Sequence, residues 1–476
     1  MKNTLSDRPN LLYVFADQLC ADAVGYAGNP IVKTPNIDRF RSEGVLFTNA
    51  TTVSPVCAAY RASLFTGKYT SSTGMVINEI RMNPHHRCIG HVVGEAGYEQ
   101  AYIGKWHLWA TSGDHHSMEN HFVPPGPDRL GFDGYWAAYN FWHRYYDAFY
   151  FEDEFVRHDV DGYEPDVQTD LAVERLKSFA GSDKPFSMFL SYGMPHDPWE
   201  TWNVPDELYA KYKDVEIPFP ETWSDTPDPY MDRFTDHVWW QNTFKPNLQE
   251  WRRIYFAMIA NLDWNIGRLM KALDDAGLRD NTIVVFTSDH GEMFGAHGRT
   301  QKMIFYEEAV RVPFIIRWPG HIAADSASDV CLNTPDIMPT LLSMLALRIP
   351  DEAEGLDLSH CALGQSGVEP EAAFLQGMGH THLWKDGYEW RALRDKEFTY
   401  AVYRIDGSEL LFHNRIDPLQ QTNLVNDPHY QPVRDKFRIM LTQRMADLND
   451  TFEQCTWYRD HWTEHNIIKR SATLTG

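Results

Sequence analysis

The sequence predicts an α/β fold in which a large mixed, mostly parallel sheet is sandwiched by helices and followed by a smaller C-terminal α+β subdomain. Two observations predict it. Short apolar runs bounded by turn residues alternate with amphipathic stretches of helical length. Each apolar run also ends in a polar cluster, and open α/β sheets bind their ligands beyond the carboxyl ends of their strands. We therefore expect one functional site at that edge of the sheet.

The core strands are predicted at the apolar runs 11–16, 101–103, 186–192 and 283–286. Continuous apolar runs of this length are typical of parallel strands that are buried on both faces. Helices are predicted between them at 170–180, 254–276 and 336–347. The polar clusters that follow the strands contain Asp17, then Lys105 and His107, then His196, and finally Asp289 and His290.

The C-terminal part of the chain has a different texture. Residues 350–370 are rich in Pro, Gly, Ser and acidic residues, which is typical of a linker or a surface excursion. Short strands are predicted after it at 389–393, 397–403 and 409–412, and a helix at about 433–448. We therefore predict a catalytic domain at 1–365 and a smaller subdomain at 366–476.

The charge balance restricts the possible partners. The formal net charge is −23, from 43 basic and 66 acidic residues. A nucleic-acid-binding protein needs a basic footprint, so we expect no nucleic-acid partner. Any site for an anion must then be a locally basic pocket. No apolar stretch approaches the ~18 residues of a membrane span, so we expect no membrane partner. The start of the chain does not resemble a secretory leader, which predicts a cytoplasmic protein, or a periplasmic one if a leader was removed.

One cysteine stands out from the six in the chain. The cysteines are scattered and form no C-x-x-C pair, so a zinc knuckle is not expected. Cys57, however, begins a predicted helix, and Arg61 follows one turn later on the same face. A helix N-terminus stabilises negative charge, and Arg61 adds a fixed cation there. This short C-x-A-x-R pattern is weak evidence by itself.

In a longer context, residues 57–67 resemble the signature of the type I, formylglycine-dependent sulfatases of the alkaline phosphatase superfamily. The commoner form of that signature has proline where this chain has Ala59. Further blocks resemble the family in the same order along the chain, which makes the resemblance specific. They lie at residues 8–10, 17–18, 34–38, 44–50, 104–107, 195–198, 288–292, 302, 306–307, 311–313, 417–418 and 423–424.

The resemblance implies an alkaline-phosphatase-like fold and a sulfatase that hydrolyses a sulfate monoester. A formylglycine-generating enzyme would oxidise Cys57 to an aldehyde, and one hydroxyl of the hydrated aldehyde would attack sulfur. The alcohol would leave as a covalent sulfo-formylglycine intermediate forms, and the second hydroxyl would then expel sulfate and restore the aldehyde. The implied substrate is a sulfated carbohydrate, such as a fragment of a glycosaminoglycan or another polysaccharide.

The resemblance also implies roles for five basic side chains. Arg61 would hold the diol, and Lys105 would bridge residue 57 and the sulfuryl oxygens. His107 would assist proton removal from the diol. His196 and Lys302 would grip the sulfuryl group, and one of them would protonate the leaving oxygen.

The implied metal ligands are Asp17, Gln18, Asp289 and His290. With an oxygen of the modified residue 57, they offer oxygen donors and one imidazole to a divalent cation. Calcium is favoured for such an oxygen-rich, irregular site, while manganese, magnesium or zinc remain alternatives. Gln18 is neutral where relatives often have a second aspartate, which leaves more net positive charge for an anionic substrate.

Substrate-binding residues are predicted in two further places. The aromatic segment 131–151 carries His143 and Arg144, which could meet a sugar ring, a carboxylate or a second sulfate. A packed insertion that buries its aromatic rings would have the same composition. His297 and Arg299 are predicted as additional groups at the rim of the site, whereas Trp239, Trp240 and Trp251 are assigned to packing.

Other functions compete with the sulfatase interpretation. Phosphonate monoester hydrolases and phosphodiesterases of the same superfamily also use formylglycine, and they tend to have Asp-Gln and Asp-His at the two metal blocks. A binding protein with an unmodified Cys57 is a third hypothesis. A phosphomutase of the superfamily would require Ser or Thr at position 57. The sequence leaves the oligomeric state open.

Overall fold

The computed structural model describes residues 8–110, 112–231 and 237–474. Within these ranges, the strands in chain order are β1 (Asn10–Ala16), β2 (Val45–Phe47), β3 (Glu99–Lys105), β4 (Tyr135–Tyr139), β5 (Phe149–Tyr150), β6 (His158–Asp159), β7 (Phe186–Ser191), β8 (Thr282–Ser288), β9 (Phe314–Arg317), β10 (Ser326–Ser328), β11 (Ala373–Gly377), β12 (Trp390–Arg394), β13 (Phe398–Tyr403), β14 (Glu409–His413), β15 (Thr463–Glu464) and β16 (Ile467–Ile468).

The α-helices of the same ranges are α1 (Pro35–Ser42), α2 (Cys57–Thr66), α3 (Thr70–Thr73), α4 (Ile89–Glu95), α5 (Glu164–Phe179), α6 (Asp206–Tyr209), α7 (His237–Trp239), α8 (Lys245–Asp275), α9 (Glu307–Val310), α10 (Thr334–Met344), α11 (Ser359–Ala362), α12 (Gln431–Asp447) and α13 (Cys455–Trp462). A π-helical turn at Trp240–Phe244 joins α7 to α8. None of the helices in the described ranges is long and apolar enough to cross a membrane.

A large sheet forms the centre of the fold, with the strand order β10-β2-β9-β8-β1-β7-β3-β4. The strands from β8 to β4 pair in parallel, whereas β9 is antiparallel to both of its neighbours. This arrangement confirms the predicted mixed, mostly parallel sheet. The parallel register pairs Ala16 with Ser288, so β1 and β8 end at the same level.

The sheet lies between two layers of helices. Alternate side chains of a strand point to opposite faces, and β1 shows this directly. Leu11, Tyr13 and Phe15 pack in one core with α2 and α10, while Leu12 and Val14 pack in the other core with α5 and α8. The helix that begins at residue 57 therefore lies on one face, with its N-terminus toward the strand ends.

The predicted helices are confirmed. The helix at Cys57 begins at the predicted residue, whereas the other four begin earlier than predicted. They start at residues 164, 245, 334 and 431, and each has a proline within its first turn. Proline fits there because the first N–H groups of a helix have no partner inside the helix and its fixed φ suits the helical conformation. The apolar periodicity, from which the helices were predicted, begins only after that turn.

A second sheet in the C-terminal part has the order β11-β12-β13-β14 and is antiparallel. The predicted strands correspond to β12, β13 and β14, whereas β11 was not predicted. The second sheet packs on the first part of the chain, where Trp390 and Tyr403 share a core with Phe305 and Tyr306. The residues after α12 return to the core that contains α2. The division at 365 and 366 stays a prediction.

Candidate active site

Two carboxylates lie side by side where β1 and β8 end. Because Ala16 pairs with Ser288, the next residues, Asp17 and Asp289, leave the sheet at the same edge, and both are fully buried. The chain turns at Gln18, which has a φ of 70°. The Gln18 N–H donates a hydrogen bond of 3.0 Å to Oδ1 of Asp289, which ties the two strand ends together.

Helix α2 brings Cys57 to these carboxylates. Cys57 is its first residue, and its Sγ lies 3.7 Å from Oδ1 of Asp17. Arg61, one turn later, is fully buried and extends under the site. Its guanidinium donates to the backbone oxygen of Lys105 at 2.5 Å and to Oγ of Ser191 at 2.7 Å, and Nη2 lies 3.3 Å from Oδ2 of Asp17. Arg61 thereby connects α2 to the ends of β1, β3 and β7.

Four buried side chains form a group that fits a metal ion. One potential ligand atom from each of Asp17, Cys57, Asp289 and His290 lies within 4.8 Å of all the others. Nε2 of His290 is 3.2 Å from Sγ of Cys57. Oδ2 of Asp289 is buried and accepts no hydrogen bond from the described residues. A buried carboxylate oxygen without a donor is costly, and a divalent cation would satisfy it. The donor set therefore suits the cation that the sulfatase resemblance implies.

Gln18 lies beside this group with its side-chain amide held on both sides. Its Nε2 donates to Oε2 of Glu292 at 2.6 Å, and its Oε1 accepts from Nζ of Lys302 at 2.9 Å. Glu292 also accepts the backbone N–H of Gln301 at 2.7 Å, next to Lys302 in the chain. Glu292 thus orients Gln18 and the turn that carries Lys302. Glu292 lies in the block 288–292 that resembles the family, but the sequence assigned it no role.

Two lysines enter the site from opposite sides. Nζ of Lys105, at the end of β3, lies 2.5 Å from Oδ2 of Asp17. Nζ of Lys302 lies 3.4 Å from Sγ of Cys57 and 2.9 Å from Nε2 of His196. All of these side chains except His196 are buried, and His196 is 14% exposed. The structure therefore brings the predicted lysines and His196 together around residue 57.

His107 and His143 lie on the Lys105 side. His107 is buried with a φ of 58°, and its Nε2 is 4.0 Å from Oε1 of Glu79. Nε2 of His143 lies 3.3 Å from Nζ of Lys105. The ring of His143 also stacks on that of His196. His143 is thus part of the group of side chains around residue 57. Glu79 was not identified from the sequence, because no recognisable spacing relates it to residue 57.

The other three residues predicted to bind substrate have different surroundings. Arg144 is a half-exposed side chain, with 53% of its surface accessible. The ring of His297 stacks on that of Tyr306, with the centroids 3.9 Å apart. Arg299 is buried in a 3.1 Å ion pair with Asp228. Both side chains are thus held by neighbours other than residue 57, although His297 also lines a cavity, and their role in substrate binding stays a prediction.

Burial and neighbouring charges set the protonation of the acidic groups. Burial alone would raise the pKa of Asp17, but Lys105 and other nearby cations hold it well below its ordinary value. Burial and the charge of Asp17 raise the pKa of Asp289 to about 7. Burial and Asp17 also raise the pKa of the Cys57 thiol to about 11. Without further change, residue 57 is therefore a protonated thiol at neutral pH and a poor nucleophile.

The basic groups of the site divide into neutral and charged ones. Burial and the charge of Lys302 lower the pKa of His196 to about 4. Burial and Lys105 lower the pKa of His107 well below its ordinary value. Burial by itself would lower the pKa of Lys302, but Cys57 and the acidic side chains nearby raise it above its ordinary value. At neutral pH the site therefore combines the uncharged imidazoles of His196 and His107 with the positively charged ammonium group of Lys302.

Comparison with protein families agrees with this geometry. The model described as Sulfatase matches residues 9–347, and the model described as N-sulphoglucosamine sulphohydrolase, C-terminal, matches residues 295–448. The chain is 35% identical to the ulvan-active sulfatase of Formosa agariphila over 458 residues, which cover 95% of this chain and 84% of that protein. It is 28% identical to the endo-4-O-sulfatase of Bacteroides thetaiotaomicron, with coverage of 96% and 94%.

Solved structures show the same architecture. A sulfatase of Bacteroides fragilis superposes with a TM-score of 0.81 at 29% identity, covering 96% of this chain and 98% of that one. The phosphonate monoester hydrolase of Agrobacterium radiobacter superposes with a TM-score of 0.72 at 24% identity, with coverage of 92% and 96%. At that identity the second likeness shows the fold alone.

Proposed function

The chain belongs to the sulfatase family and is a sulfuric ester hydrolase, and we propose that it removes sulfate from a carbohydrate by means of a formylglycine formed from Cys57. The observation that carries the proposal is the position of Cys57. Its Sγ lies within 4.8 Å of ligand atoms of Asp17, Asp289 and His290 and 3.4 Å from Nζ of Lys302. The substrate class is supported by relatives named for ulvan and for endo-4-O-sulfatase activity.

A divalent cation is implied by the family, and we propose calcium. Asp17, Asp289 and His290 would hold it, with Gln18 and residue 57 beside them. The two carboxylates and the amide oxygen favour a hard cation, while the imidazole keeps manganese as the alternative. When bound, such a cation polarises sulfate oxygens and makes a nearby hydroxyl more acidic.

Formylglycine at position 57 would remove a weakness of the site. The raised pKa of the Cys57 thiol leaves little thiolate at neutral pH. A hydrated aldehyde instead supplies one hydroxyl for attack on sulfur and a second that allows sulfate to leave. Its formation requires a formylglycine-generating enzyme, which we propose as a partner during maturation.

The side chains around residue 57 are suited to bind the sulfuryl group and to protonate the alcohol oxygen as it leaves. Lys302 keeps its charge and lies beside residue 57, so it can donate hydrogen bonds to a sulfuryl oxygen. His196 contacts Lys302 and is placed to share that anion. An anionic substrate raises the pKa of a neighbouring histidine, which enables His196 to protonate the leaving oxygen. Lys105 and Arg61 hold Asp17 in position through contacts with its Oδ2.

Mass analysis of the tryptic peptide Ser42–Arg61 tests the nucleophile. We expect the aldehyde in protein from cells that contain a formylglycine-generating enzyme and the plain thiol in protein from cells that lack it. Only the aldehyde form should release sulfate from a sulfated sugar. Equal rates for both forms would overturn the proposal.

Phosphonate monoester hydrolysis is the second candidate, because the neighbouring pairs Asp17-Gln18 and Asp289-His290 meet at the proposed metal site. Kinetics on a sugar sulfate, an aryl sulfate and a phosphonate monoester separate the two activities. We expect kcat/KM to be highest for the sugar sulfate. A higher kcat/KM for the phosphonate would instead make the enzyme a phosphonate hydrolase.

A further inference from the structure

A cavity of about 350 Å³ opens next to the candidate active site. Its volume lies in the range of pockets that bind small molecules. Its wall is built from four parts of the chain that are far apart in sequence. These parts are the residues at 197–200, Met231 with Trp239 and Trp251, the turn at 300–303, and His380 with His382.

The cavity shares a wall with the site of chemistry. Asp197 directly follows His196, and Gln301 and Met303 are the residues on either side of Lys302. Both Gln301 and Met303 have a left-handed backbone, with φ of 61° and 69°. Successive residues of this turn therefore point to different places. The side chain of Lys302 reaches Cys57, whereas Gln301 and Met303 line the cavity.

Met303 also joins the cavity to the nucleophile helix. It packs against Val56, which directly precedes Cys57, and against Ala59, two residues after Cys57. A substrate whose sulfate lies between Cys57, Lys302 and His196 would therefore place its alcohol part within reach of this cavity. The part of the substrate that can occupy the cavity is therefore the alcohol part and not the sulfate.

Three tryptophan rings contribute to the cavity wall. Trp199 is 6% exposed, while Trp239 and Trp251 are half-buried, and the rings of Trp199 and Trp251 lie 6.3 Å apart. Large flat apolar faces match the C–H face of a pyranose ring and lose little conformational entropy on contact. Trp240, by contrast, is fully buried beside them. The sequence assigned Trp239, Trp240 and Trp251 to packing, and all three pack in or against the core that contains α8; Trp239 and Trp251 also line the cavity.

The charged groups of the wall select against an anionic occupant. Asp197 and Glu200 are partly or fully exposed carboxylates among the lining residues. Carboxylates accept hydrogen bonds from sugar hydroxyls, and like charges nearby disfavour a uronate or a second sulfate. His380 and His382 line the cavity from the segment after β11, so the second sheet contributes to the same cavity.

We propose that this cavity is a subsite for an uncharged pyranose ring of the sulfated carbohydrate, with its apolar face on the tryptophans and its hydroxyls on Asp197 and Glu200. The inference rests on the proposed sulfatase function and adds a preference for a neutral sugar beside the sulfate.

The first test compares a sugar sulfate with inorganic sulfate, which has no ring. For the best substrate of a panel of defined sulfated saccharides, Trp239→Ala should raise KM about tenfold. The inhibition constant of inorganic sulfate should change less than twofold, which also shows that the site of chemistry is intact. Trp239→Phe, which keeps an aromatic face, should restore KM to within about threefold of the wild type. The matched control is Trp264→Ala, a half-exposed tryptophan on α8 outside this cavity, which should change neither constant.

The second test compares two sulfated disaccharides that differ only in whether the neighbouring ring is a hexose or its uronic acid. The wild type should favour the neutral one about tenfold in kcat/KM, and Glu200→Gln should narrow that preference. If the wild type hydrolyses sulfate esters but Trp239→Ala leaves KM unchanged, or if no preference for the neutral ring is found, the subsite is overturned and the sulfatase function stands. If the wild type hydrolyses no sulfate ester, the proposed function itself fails.

Discussion

The imidazole rings of His143 and His196 stack face to face, with their centroids 4.0 Å apart and 7° between their planes. His143 also lies 3.3 Å from Nζ of Lys105, and His196 lies 2.9 Å from Nζ of Lys302. The stacked pair therefore connects the two lysines that enter the site from opposite sides. The stack holds the ring of His196 together with a contact of 2.8 Å between its Nδ1 and the backbone oxygen of Asp197.

His143 is expected to act as a positioning residue for His196. His143→Ala should lower kcat about tenfold to a hundredfold, because a small displacement of a reacting group has effects of that size. His143→Phe keeps a flat ring for stacking and should recover most of kcat. The measurement is kcat and KM on a sugar sulfate. A loss confined to KM, or no recovery with phenylalanine, would instead assign His143 to substrate binding or to hydrogen bonding with Lys105.

Cys57→Ala is expected to abolish turnover while leaving the fold intact. The substitution removes the precursor of the aldehyde but little buried volume, so the thermal midpoint should stay within a few degrees. Cys331→Ala, at an equally buried cysteine outside the site, should retain turnover. Sulfate release and thermal melting check both variants. Near-wild-type rates in Cys57→Ala would refute the assignment of the nucleophile.

Lys302→Gln should lower kcat by about a hundredfold to a thousandfold, which is typical when one group that stabilises a developing anion is removed. Glutamine can still donate a hydrogen bond but lacks the positive charge. The control is Lys271→Gln, because Lys271 is 73% exposed and pairs only with Asp275 one turn along α8 in the described structure. Comparable losses in both variants would show a general charge effect and not a local one.

Removal of the metal ion should lower both the activity and the thermal midpoint. Chelator-treated enzyme keeps Asp17 and Asp289 close together without a divalent cation that binds both, and leaves Lys105 and Arg61 as the cations beside them. Titration with Ca²⁺ should raise the midpoint, since a ligand that binds only the folded state stabilises it. The midpoint of Asp289→Ala should not respond to Ca²⁺. Parallel titration with Mn²⁺ identifies the preferred ion, and absence of any response to either ion would contradict the metal assignment.

A buried ion pair in the C-terminal part of the chain gives a pH-dependent stability. Nε of Arg391 lies 2.5 Å from Oδ2 of Asp450, and both side chains are fully buried. Burial alone would raise the pKa of Asp450, but Arg391 outweighs it and holds the pKa below its ordinary value. Because the folded-state pKa is the lower one, the pair stabilises the fold above about pH 4, and this stabilisation is lost as the pH falls through the folded-state pKa.

Asp450→Asn is expected to lower the free energy of unfolding at pH 7 by about 3–5 kcal/mol, because it leaves a buried guanidinium unpaired. The difference from the wild type should shrink as the pH falls below about 4. Denaturant unfolding at several pH values measures both effects. Asp351→Asn breaks an exposed pair with Arg348, whose side chains are 82% and 85% exposed, and should have no measurable effect. A difference at Asp450 that is independent of pH would contradict this account.

The sequence by itself determined the fold class, the family and the order of the blocks that reach the site. Each of these follows from a local pattern: apolar runs predict strands, and the residues directly after them reach one edge because parallel strands share their direction. Local patterns also located α5, α8, α10 and α12. Their starts were predicted too late, because the prolines of their first turns lie before the apolar periodicity begins.

The tertiary structure decided what converges from distant parts of the chain. His143 stacks on His196, Glu292 accepts a hydrogen bond from Gln18, and Arg299 pairs with Asp228. In each case the separation of the two residues in the sequence does not indicate that they meet. The cavity depends on this most, because Trp199, Trp251 and His380 meet only when α8 and the second sheet pack beside the strand ends. Periodicity specifies which face of an element is buried, but the neighbour against which it is buried depends on the packing of the whole chain.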